Sequence, residues 1–80
     1  MKTKQAVANR IIELCKERKL AINAIANASG VPPMTVYSMI NSKSKNPGIV
    51  NIKKLCDRFG ITLGQFFNTS GFDSLEQEVE

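Results

Sequence analysis

NASGVPPMTVYSMINSKSKNPG, residues 27–48, decides how this chain is read. A Gly is followed by two adjacent prolines, an apolar run of helical spacing, and then a loop of Ser, Lys and Asn. Proline within a helix removes a donor and clashes with the preceding turn, but at the first helical position its fixed φ is already suitable. Pro33 therefore fits the first position of a helix over 33–40, with Pro32 at its cap and Val31 biased to an extended shape. Gly30 stops the segment before it, because the residue just past a helix often takes the left-handed conformation. Two short helices meeting at a fixed corner is the expectation for 21–40.

The chain on either side repeats the helical period. In 5–18, Val7, Ile11, Leu14 and Cys15 form one stripe, and Glu13 with Lys16 makes a favourable pair. Residues 21–28 place Ile22, Ile25, Ala26 and Ser29 inward, with Ala21 at a cap position it cannot fill. In 33–40, Val36, Met39 and Ile40 face the core. After the loop and the Pro47-Gly48 turn, Ile49, Ile52, Leu55, Cys56 and Phe59 point inward over 49–59, and Gly60 ends that helix. Thr62 with Gln65 is a capping box for a short fifth helix carrying Leu63, Phe66 and Phe67. No segment alternates with period two. The fold class expected is all-α, five short helices around one core in residues 1–68. An acidic tail follows over 69–80, where Phe72, Leu75 and Val79 have the spacing of a marginal final helix.

Composition narrows the function. Eighty residues with 42% hydrophobic content make one small domain, with no run long enough to span a membrane and no leader-like N-terminus, so a cytoplasmic location is expected. Eleven bases oppose three acids in residues 1–58, giving +8, whereas 69–80 carries −4. A basic domain of this size is drawn to a polyanion. With no histidine, no CxxC pair and no phosphate-binding glycine loop, neither an enzyme nor a metal or other cofactor is expected. Cys15 and Cys56 read as reduced core residues.

These segments resemble the Cro/cI-type (Xre family) helix-turn-helix domain. Arg10, Ile11 and Leu14, then LAINAIANASGVPPMTVYSMIN, then NPGIVNIKKLCDRFGITLGQFF carry the resemblance over about three quarters of the chain. It implies a lambda-repressor-like, DNA-binding regulator, probed on double-stranded DNA by the helix at 33–40 lying in the major groove. On it, Pro33, Met34, Thr35, Tyr37 and Ser38 stand where the family faces bases or nearby phosphates. Asn41, Lys43 and Lys45 stand in the loop that grips phosphate. Arg10 matches a position that either supports the fold through an ion pair or touches phosphate. Homodimerisation is expected through Leu63, Phe66 and Phe67, with the tail's apolar residues as an extension.

The chain departs from the family at Ala21 and Ile22, where a capping hydroxyl and a phosphate-contacting Gln are usual. The reading helix also lacks Arg, Asn or Gln, the strong base readers. Apolar and hydroxyl groups remain, suited to A·T-rich sites read by thymine methyls and shape. The same departures fit a second function class, a protein-interaction module on the same fold, antitoxin-like or bound to another regulator.

Overall fold

The computed structural model describes residues 1–41 and 46–79. Its elements in chain order are α1 (Thr3–Glu17), α2 (Ile22–Ser29), α3 (Pro33–Ile40), α4 (Ile49–Phe59), α5 (Leu63–Phe67) and the single turn α6 (Ser70–Asp73). Among the described residues there is no strand, and no helix is long and apolar enough to cross a membrane.

Three helices end in the same way. At the end of α2, Gly30 is left-handed at φ 73°, and the Val31 amide donates to the Ala26 carbonyl at 3.1 Å. At the end of α4, Gly60 is left-handed at φ 77°, and the Ile61 amide donates to Cys56 at 3.0 Å. These are six-to-one turns that satisfy carbonyls the helix leaves open. The end of α1 closes likewise, Leu20 donating to Cys15 at 2.9 Å, but there Lys19 takes the left-handed position at φ 54°. The helix starts are less uniform. Thr62 and Gln65 form both bonds of the capping box, at 3.0 and 2.8 Å. Pro32 caps α3 with Pro33 in the first turn, and its carbonyl accepts from Thr35 at 2.9 Å. Ala21 gives α2 no side-chain cap.

The core draws on all of the first five helices. Ile11, Leu14, Ile25, Val36, Leu55 and Phe66 are fully buried within one cluster, and Val31 closes it between α2 and α3. Ile22, the departure at the start of α2, is half-buried and packs on the same cluster, so it is a core residue. Ser29 returns its hydroxyl to the Ile25 carbonyl at 2.6 Å. Cys15 and Cys56 are buried and unpaired, and burial raises both thiols above their ordinary pKa.

Four expectations are corrected. Ile49 is 56% exposed and Val50 65%, because the first turn of α4 precedes its contact with the core. Glu13 pairs with Arg10 across one turn of α1, not with Lys16. The tail makes only the one-turn α6 and forms no further helix among the described residues, leaving Val79 85% exposed. Phe66 is fully buried and unable to serve in a dimer surface. Its ring meets Phe67 edge-on at 4.9 Å between centroids, and Phe72 of α6 closes the trio, 4.9 Å from Phe67.

The tail then returns to the first turn of α1. The Glu76 amide donates to the Met1 carbonyl at 3.1 Å, and its carboxylate pairs with the Met1 ammonium at 2.6 Å. Lys2 Nζ donates to the Gln77 carbonyl at 3.3 Å. Glu78 accepts from both the Thr3 amide at 3.1 Å and the Thr3 hydroxyl at 3.2 Å. α1 has no side-chain cap of its own and no acid in its first turn, so Glu78 supplies from the far end of the sequence what a local cap would.

Candidate nucleic-acid interface

α3 is held by one face and presents the other. Val36 and Met39 are buried, and Ile40 packs half-buried beside them. Opposite stand Met34, 82% exposed, and Tyr37, 43% exposed, at i,i+3 on one line of the helix, with Asn41 exposed at its end. Thr35 and Ser38 flank this line, half-buried, and Pro33 is half-buried at the start. An 82% exposed Met on a short helix, beside an exposed Tyr, is a surface that favours a partner over water.

α3 packs against both α1 and α2. Because Gly30 and the two prolines fix both ends of the α2–α3 corner, the outer face of α3 is held as a rigid ridge. Lys43 and Lys45 lie outside the described residues. The residues that bracket them are placed: Asn41 ends α3, and Asn46–Pro47 lead into α4.

Arg10 has the supporting role. Its Nε donates to the Phe66 carbonyl at 2.8 Å, a second nitrogen to the Gln65 carbonyl at 3.1 Å, and the third pairs with Glu13. The guanidinium carbon lies 5.9 Å from the Phe66 ring centre. Its side chain is 14% exposed, and every nitrogen is engaged, so the expectation that it faces phosphate gives way to its other reading. Arg18 does the same for the end of α4, donating to the Phe59 carbonyl at 3.2 Å over the Phe59 ring.

Lys4 is a further base beside this surface. Lys4 Nζ donates to the Asn41 carbonyl, which brings the first turn of α1 to the end of α3. Lys2, Lys4, Asn46, Pro47 and Glu78 share an open cleft of about 640 Å³. No spacing rule could have found this, since Lys4 and Asn41 are 37 residues apart. The only signal was that α1 begins with bases.

No curated protein matches the sequence. The crystal structure of the prophage Lp1 protein 11 is similar at 33% identity and a TM-score of 0.82, covering 94% of this chain and all of that one. Residues 10–70 match the model of the Cro/C1-type HTH DNA-binding domain. The match runs from the supporting Arg10 through the α2–α3 corner and α5, and with it the chain belongs to the Cro/C1-type HTH DNA-binding family.

Proposed function

We propose that this protein is a sequence-specific DNA-binding transcriptional regulator, a repressor, that places α3 in the major groove. The observation that carries the reading is the Met34–Tyr37 line, exposed on a helix whose opposite face is buried. Met34 and Pro33 suit thymine methyls, and the hydroxyls of Thr35, Tyr37 and Ser38 give adaptable hydrogen bonds. Asn41, Lys43 and Lys45 then hold the backbone, and displacement of counterions supplies most of the affinity. Sites are A·T-rich, read by apolar contact and shape. The similarity to a prophage protein supports a regulator of phage or mobile-element type.

The protein acts as a homodimer, since two-fold pairing sets two reading helices one turn of DNA apart. With Phe66 inside the core, Ile49 and Val50, adjacent exposed apolar residues at the start of α4, are the better candidate surface.

Binding-site selection from random duplex DNA at fixed salt tests the reading. An A·T-rich half-site, bound about fivefold more weakly by Tyr37→Ala, is the expected result. A G·C-rich site with strong discrimination at each base would remove this account of α3. One observation favours the alternative of a protein-interaction module: Val7, Pro47, Ile49, Ile52 and Phe67 form an apolar wall of the cleft beside Lys2 and Lys4, which a protein partner could fill and a DNA backbone at its rim would not use. Salt separates the two, because phosphate contact weakens steeply with ionic strength and an apolar protein contact does not.

A further inference from the structure

The tail is acidic, and it is placed where phosphate would come. Glu78 lies in the same cleft as Lys2, Lys4, Asn46 and Pro47. Asn46 closes the loop that carries Lys43 and Lys45, and Asn41, which opens that loop, holds Lys4 by its carbonyl. The described residues at the two ends of that loop, Asn41 and Asn46, thus both stand near Lys4, and the turn that carries Lys4 is bound to the tail. Lys2 is engaged by the Gln77 carbonyl, and both Glu76 and Glu78 feel its charge. These carboxylates are exposed, Glu76 held by Met1 and Glu78 by Thr3.

We propose that the tail is an electrostatic brake on DNA binding. Docked on α1, the tail sets the Glu78 carboxylate in the cleft shared with Lys4 and Asn46 and occupies Lys2, while Glu76, paired with the Met1 ammonium, anchors it there. A DNA backbone approaching Asn41 and Asn46 meets the Glu78 carboxylate at short range, where screening by about 8–10 Å of Debye length does not remove the repulsion. Full engagement requires the tail to leave α1. Phosphate then replaces Glu78 at the α1 N-terminus and takes up Lys2 and Lys4. The inference rests on the reading of α3 and its loop as the DNA-contacting surface.

The test compares the full chain with the Glu76→Gln/Glu78→Gln variant on a labelled A·T-rich duplex over a range of salt concentrations. The variant is expected to bind about 3- to 10-fold tighter near 0.1 M salt, with the gain fading as salt rises. Its salt dependence steepens by about one unit for each lysine released to phosphate. Adding Lys2→Ala and Lys4→Ala to the variant removes the gain. If the folded variant binds with the affinity and salt slope of the parent, the brake is wrong and the DNA reading stands. If neither binds any duplex at low salt, the DNA reading itself fails and the brake with it. A measurement on the unaltered chain covers a variant that does not fold. The amide resonances of Thr3, Glu76 and Glu78 should shift together on adding duplex, those of the tail toward unstructured values, and a tail that stays docked on DNA overturns the proposal.

Discussion

Met34 and Tyr37 share one line of α3, yet their expected losses differ from those of a core residue. Both are exposed, so Met34→Ala or Tyr37→Ala should change stability by less than about 0.5 kcal/mol. Each should weaken DNA binding by about 1 kcal/mol, roughly fivefold, with little change in salt slope, because apolar contact rather than charge is removed. Titration of each variant against one selected site checks this. Arg10 behaves oppositely. Arg10→Ala strips two carbonyls and Glu13 of a charged donor and should cost about 2 kcal/mol of stability. Lys at this position cannot reach three partners as a planar fork does and should rescue little. A thermal melt reads both, and a stable Arg10→Ala protein with a flattened salt slope would return Arg10 to the phosphate. The sequence named the exposed line of α3 because helical period and buried face are both local. It left Arg10 undecided because the carbonyls it holds lie 55 and 56 residues away.

Helix ends give a second set of expectations. Gly30 and Lys19 occupy equivalent left-handed positions, one suited to it and one not. No atom lies within 4 Å of a side chain built at Gly30, so Gly30→Ala costs backbone strain alone, about 1 kcal/mol. Lys19→Gly should gain a similar amount, and each change should move the midpoint of a melt by about 4–8 °C in opposite directions. Equal shifts of one sign would contradict the shared turn. α2, α3, α4 and α5 were legible to within a residue because Gly, Pro and a capping box mark them locally. The apolar period of α1 starts only around Gln5, whereas the helix starts at Thr3, because its cap comes from Glu78 and leaves no local signal. α6 was invisible as such. It exists to set Phe72 on Phe66 and Phe67, a tertiary demand, and the spacing of Phe72, Leu75 and Val79 suggested a longer helix that does not form.

At the scale of the molecule, first and last turns are joined, and the joint is ionic. The hydrogen bond to the N-terminal ammonium holds the Glu76 carboxyl below its usual pKa, and the bond from the Thr3 amide does so for Glu78. A depressed folded pKa gives stability that is present above the unfolded carboxylate value and lost as pH falls through the folded one. The tail should therefore come off α1 in acid while the core stays folded. The Thr3 amide resonance should follow that step, and Glu78→Gln should abolish it at Thr3. Sedimentation at micromolar concentration checks the pairing of protomers: Val50→Asp should leave a folded monomer whose melt no longer depends on protein concentration. A dimer indifferent to Val50→Asp would place the interface elsewhere.

Tyr37 has one more consequence. The chain has no tryptophan and a single tyrosine, and that tyrosine lies on the exposed face of α3. All tyrosine emission thus comes from one ring, already at the surface in question. Stacking or hydrogen bonding of its ring against a bound partner alters its emission, and events confined to the tail leave it unchanged. Engagement of α3 and release of the tail can thus be timed separately in unlabelled protein.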